Sequence, residues 1–161
     1  MAFENNYIKN NYSRNNYNKN NYNKNNENSA PTFPTDYLKN GYFEDENKKI
    51  IICEYIVEYP KHIVKNLMNK DKNKSSQLRK YYDYVVRIKE SLKYNIKSFE
   101  EVIGDIKKLD YYVTYAETRG KVTKYFVEFI KQNLKNINTK EDFFAFVTHF
   151  EAIIAYLPKE R

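Results

Sequence analysis

The sequence predicts an all-α protein, a compact bundle of about five helices preceded by a disordered tail of Asn/Tyr/Lys-rich pentad repeats. Three observations carry that expectation. After Pro60, apolar residues recur at three- and four-residue spacing, the period of a helix with one face on a core. Ser75 or Ser76, Ser98, and Asn138 or Thr139 stand just before three of these stretches, where their side chains can cap a first turn. Only three Gly occur in 161 residues, too few for a fold rich in tight turns.

The chain divides into three parts. Residues 1–36 form a low-complexity tail and linker, residues 37–59 an extended arm or short irregular segment, and residues 60–158 the bundle. Within the tail, NNYIK, NNYSR, NNYNK, NNYNK and NNENS follow one another from Asn5 to Ser29. A five-residue period matches neither helix nor strand, and so few aliphatic side chains cannot offset the entropy of ordering the segment. Lys9, Arg14, Lys19 and Lys24 could meet phosphate while Tyr7, Tyr12, Tyr17 and Tyr22 stack on bases. The plainer reading, an expanded repeat without a task, is preferred. Pro31 and Pro34 punctuate the linker, Asn40-Gly41 marks a turn, and Glu44 to Glu46 is acidic. Ile50 to Val57 is β-branched without a clean period and reads as a short strand or an extended arm.

Pro60 suits the first turn of a helix that carries Ile63, Val64, Leu67 and Met68 inward. The next helix begins near Gln77, with Leu78, Tyr81, Tyr82, Val85, Ile88 and Leu92 on its apolar face. Ser98 and Glu101 have capping-box spacing, and one stripe runs from Phe99 through Val102, Ile103, Ile106, Leu109 and Val113 to Ala116. Arg119-Gly120 is a turn or a break between helices. Val122, Phe126, Phe129, Ile130 and Leu134 face inward next, and Phe143 to Leu157 forms a last, aromatic helix that Pro158 stops.

Charge is distributed unevenly. Lys61 to Lys93 holds ten Lys or Arg against three acids, a surplus equal to the +7 of the whole chain. Arg79, Lys80, Asp83 and Arg87 fall opposite the apolar face of their helix, which makes that face basic. Lys121, Lys124, Lys131 and Lys135 form a second stripe, with Arg119 at the N-terminal end of its helix, where free N–H groups favour phosphate. Either stripe alone reads as an ordinary solvated face. Together they point to a surface that tracks a phosphate backbone without reading bases, with Gln77 and Asn73 adding neutral hydrogen bonds.

Catalysis finds no parts. Walker-type, Gly-x-Ser-x-Gly and dinucleotide-binding patterns are missing from the sequence. His62 and His149 lie on different helices, and neither has the preceding Arg of helical HEPN-type ribonucleases. His149, among Phe side chains, reads as a satisfied core or boundary histidine. Cys53 is the only cysteine, so neither a disulfide framework nor a cysteine-based zinc site is expected, and a reducing, cytoplasmic setting fits. No cofactor and no metal are expected. No apolar run approaches the ~20 residues that span a bilayer, and the N-terminus lacks the apolar core of a secretory signal.

Three strings resemble a known family. SSQLRKYY (Ser75 to Tyr82), YYVTYAETRGKVTKYFVEFI (Tyr111 to Ile130) and EDFFAFVTHFEAIIAYLP (Glu141 to Pro158) are similar, in order and spacing, to the small subunit of the type III-A CRISPR–Cas effector, the Csm complex. The resemblance covers roughly Tyr59 to Pro158, and its most specific piece is Phe150 to Tyr156. Glu117-Thr118 departs from the family's usual Ala-Gly, and Leu157-Pro158 from its basic ending. The resemblance implies a helical bundle without catalysis of its own. Copies would stack head to tail as a minor filament beside the backbone subunits, which hold the guide RNA and cleave target RNA. The large subunit would carry cyclic-oligoadenylate synthesis and DNase activity. Implied partners are guide and target RNA, the backbone and large subunits, and further copies of the chain, with no membrane. By position, Arg79, Lys80 and Arg119 match basic residues of the family, with Lys74 and Gln77 just before the first pair. Lys121 and Lys124 rest on the stripe alone and Arg87 on its helix face. A stand-alone basic helical protein that binds nucleic acid, or an interaction bundle with merely solvated basic faces, is the alternative reading.

Overall fold

The computed structural model describes residues 32–68 and 71–159; the pentad tail, and the expectation of disorder there, lie outside them. Among the described residues six α-helices succeed one another: α1 (Glu58–Leu67), α2 (Ser75–Lys93), α3 (Phe99–Lys107), α4 (Leu109–Thr118), α5 (Lys124–Lys135) and α6 (Lys140–Tyr156). Among the described residues there is no strand, only an isolated antiparallel bridge between Phe43 and Ile51. The all-α expectation holds.

Local chemistry sets the boundaries. Pro60 is the third residue of α1, where its missing N–H has no intrahelical acceptor to lose. Ser98 and Glu101 close a full capping box on α3, and Thr139 with Asp142 closes another on α6. Thr123 caps α5 by accepting the Phe126 N–H. α6 ends where Leu157 turns extended (ψ 138°), the conformation its following proline imposes. The single helix expected from Phe99 to Ala116 is interrupted at Lys108. That residue keeps helical dihedrals (φ −58°, ψ −22°) and its N–H still reaches the Gly104 carbonyl at 3.1 Å. The apolar stripe therefore crosses the interruption: Val102, Ile106, Leu109, Val113 and Ala116 are all buried.

α6 packs against both α1 and α2, while α5 packs against α4 and α1. Phe126, Phe129, Phe143, Phe146 and Phe150 are completely buried between them. Ring centroids of Phe129–Phe150 and Phe146–Phe150 lie 5.6 and 5.8 Å apart, within the range of favourable aromatic pairs. Met68, expected to point inward, is 40% exposed, because α1 ends at Leu67 and the chain turns extended there.

The segment before α1 is irregular and contributes to this core. Phe33 stacks on Tyr37 and Tyr125 at 5.3 and 4.4 Å, and Tyr37, Leu38, Tyr42 and Tyr55 are buried. Ile50 to Val57 forms neither strand nor free arm; it holds the bridge at Ile51 and a 3-10 turn over Cys53–Tyr55. Asp45 accepts the backbone N–H groups of Lys49 and Ile50, which holds its carboxyl below the usual range. Lys48 then reaches both carboxylate oxygens of Asp142 at 2.8 Å, pinning the segment to the start of α6.

A hydrogen-bond chain completes the tie. The Tyr42 hydroxyl donates to Asn133 Oδ1 (2.7 Å), and Asn133 Nδ2 donates to the Tyr37 oxygen (2.8 Å). His149 Nδ1 lies 2.6 Å from the Tyr55 carbonyl, which only accepts, so that nitrogen carries the proton. Nε2 then accepts from the Tyr37 hydroxyl at 2.9 Å. His149 is thus a satisfied core histidine, and burial lowers its pKa to about 4.

Candidate nucleic-acid interface

A buried side chain links the basic start of α2 to two other elements. Asn73 is 2% exposed and adopts φ +55°, a left-handed conformation that Asn tolerates better than most residues. Its Nδ2 donates to the Leu67 carbonyl at the end of α1 and to Thr123 Oγ1, each at 2.8 Å. Its Oδ1 accepts the Thr123 N–H at 2.9 Å, and its own N–H donates to the Lys121 carbonyl at 3.1 Å. One residue therefore joins three elements and fixes the first turn of α2 beside the turn that precedes α5.

That preceding turn has its own cause. Lys121 N–H reaches the Ala116 carbonyl at 2.9 Å and Gly120 N–H reaches Glu117 at 2.8 Å, the paired bonds of a Schellman cap with Gly120 at φ +67°. The result is a surface depression of about 380 Å³ lined by Asp71, Lys74, Ser76, Gln77, Lys80, Gly120 and Lys121. Lysines from two elements far apart in sequence meet there. Gln77 Nε2 donates to the Tyr81 hydroxyl at 3.1 Å, which leaves its amide oxygen for another donor.

The remaining expected residues are spread around this point. Arg79 is exposed on α2, and Arg87 lies seven residues beyond Lys80, about 10 Å further along the axis. Lys124 is exposed on the first turn of α5. Arg119 is the C-cap of α4, not a residue at the start of α5; its side chain lies over Tyr115 and donates to that hydroxyl at 2.7 Å. Among the described residues, none of Lys74, Arg79, Lys80, Arg87, Lys121 and Lys124 forms an ion pair with a carboxylate. Their charge is directed outward.

Three expectations change. The stripe from Lys121 to Lys135 does not lie on one helix, because α5 begins only at Lys124 and Lys121 belongs to the depression. Lys131 instead pairs with Asp110 at 3.6 Å. Asn73, expected to offer hydrogen bonds outward, spends its side chain inside. Ser75 does not cap α2, whose N-cap is Lys74; its hydroxyl donates to the Pro158 carbonyl at 2.9 Å and ties α2 to the end of α6. Asn73 was missed as an organising residue since its partners lie 6 and 50 positions away. Its only local signal is an Asn between a helix end and a helix start.

Among the described residues no group of three His, Cys, Asp or Glu side chains could hold a metal ion, and no helix is long and apolar enough to cross a membrane. What fold and surface define is a helical bundle with a basic face at the meeting of α2 with the α4–α5 turn. The family model described as Csm2 Type III-A matches residues 52–158, which span all six helices. The chain belongs to that family, the small subunit of the type III-A CRISPR–Cas Csm complex. No curated protein and no solved structure matches it.

Proposed function

We propose that this small subunit has no catalytic activity of its own and serves RNA-guided interference, in the cytoplasm, by binding the backbone of guide and target RNA without sequence preference. Copies stack as a filament beside the backbone subunits of the complex. Family membership supports the place in the complex. The observation that carries the RNA reading is the depression where Lys74, Lys80 and Lys121 converge beside a single carboxylate, Asp71, and none of the three forms an ion pair among the described residues. A subunit whose target sequence changes with every guide has to grip phosphate and shape, and long cations around a shallow surface do that.

The residues take distinct parts. Lys74, Lys80 and Lys121 meet phosphate at the depression, and Gln77 adds a neutral hydrogen bond. Arg79 and Arg87 extend the contact along α2, while Lys124 and Arg119 flank it on the other side.

The test uses a tagged copy purified from its host. The expected result is co-purification of the large and backbone subunits with guide RNAs. With Arg79→Gln plus Lys80→Gln, the complex assembles but captures target RNA about tenfold more weakly, since two exposed charges are removed and no buried contact is lost. Unchanged capture by a complex of wild-type composition would sink the reading.

A further inference from the structure

One exposed face of α4 has an unusual make-up. Tyr111, Tyr112 and Tyr115 are 54%, 40% and 61% exposed, while Leu109, Val113 and Ala116 of the same helix are buried. At 100° per residue the three tyrosines share a face with Lys108 and Arg119. No Leu, Ile, Val, Met or Phe stands on it. Asp110 and Glu117 fall on a different side, and Asp110 is paired with Lys131. Asp105, which borders the face, is occupied by Lys108 at 2.7 Å.

The rings are held in place. Tyr111 and Tyr112 lie 4.5 Å apart between centroids, and Tyr112 meets Tyr84 edge-on at 5.5 Å. Arg119 lies over Tyr115, 5.4 Å from its centroid. Arg119, Gly120 and Lys121 then carry the surface directly from this face into the lysine-lined depression. The face and the depression are therefore neighbours along the chain.

Resting on the RNA-binding reading above, we infer that this face of α4 is a stacking platform for unpaired nucleobases of single-stranded RNA, with Tyr111 and Tyr115 as its principal rings. Base stacking on aromatic side chains is tolerant of sequence, because every base has a π-face. That suits a surface with positive charge and no base-reading amides. Tyr and Arg are also common protein-contact residues, so the experiment below includes a protein occupant among its outcomes.

The experiment measures affinity of the full-length chain for a single-stranded oligoadenylate and for an abasic oligomer of equal length. The wild type binds the base-bearing strand more tightly. Tyr111→Leu plus Tyr115→Leu, which keeps apolar bulk without the ring, reduces that preference about tenfold and leaves abasic affinity unchanged. Tyr111→Trp plus Tyr115→Trp retains it. An undiminished preference in the leucine variant overturns the inference, as does loss of self-association or complex assembly with the preference intact, which would make the face a protein contact. Lys80→Gln plus Lys121→Gln separates the two readings. It weakens both oligomers alike if the depression binds phosphate; if it weakens neither while the leucine variant loses its preference, the depression reading fails and the platform stands.

Discussion

His149 shows how a single residue ties the chain's beginning to its end. Its two ring nitrogens connect Tyr55 and Tyr37, before the first helix, to α6. The neutral tautomer is required, because the Tyr37 hydroxyl donates to Nε2. Above its ordinary pKa of 6.5 the ring is neutral folded or unfolded, and pH has no effect through it. Between there and the folded value of about 4 only the unfolded chain takes up the proton, so stability falls as acid is added. The loss from this group amounts to about 3 kcal/mol by pH 4. Chemical denaturation at pH 7 and pH 5 checks it: the wild type loses stability over that step, and His149→Gln, though less stable at pH 7, loses much less. The sequence shows His149 as a core histidine by its Phe neighbours, but its partners could not be read. They lie 94 and 112 positions away, and no periodic pattern reports pairs so distant.

Helices were legible where their signals are local. The capping box at Ser98, a cap at Asn138 or Thr139, the proline stop after Leu157 and the apolar stripes all act within a turn or two, and the structure keeps them, with Thr139 as the last cap. The interruption at Lys108 left no sequence signal, since the apolar stripe passes through it unbroken. The segment before α1 was harder, because its order comes from Tyr rings packing on distant helices and from Asp45 gathering its own backbone. The site was legible in part. Spacing placed Arg79, Lys80 and Arg87 on an exposed face, but assigned Lys121 to a helix it does not join. The register of α2 against the α4–α5 turn depends on Asn73, which predicts a linked pair of effects. Asn73→Ala leaves the Thr123 N–H and Leu67 carbonyl without their partner, costing about 2–3 kcal/mol. It also loosens the turn carrying Lys121, so RNA affinity falls although no cation has been changed. Calorimetry and RNA titration of the same preparation check both; lost stability with wild-type affinity would contradict the positional role.

At the scale of the molecule, the chain's charge surplus resides in one window of sequence, and folding brings part of it to one place. Lys48, Lys108 and Lys131 are drawn into ion pairs with Asp142, Asp105 and Asp110. Among the described residues Lys74, Arg79, Lys80, Arg87, Lys121 and Lys124 are not, and this contrast is what the proposed RNA contact rests on. Counterion release makes it measurable, because the logarithm of affinity falls with the logarithm of salt in proportion to the phosphates neutralised. The most direct measurement is that slope for target RNA on assembled complexes carrying either the wild-type chain or Lys80→Gln plus Lys121→Gln. If these lysines meet phosphate, the slope becomes shallower by about 1.5 per altered chain contacting the strand. Equal slopes and equal affinities for the two complexes would contradict the account and leave the basic face as solvated surface.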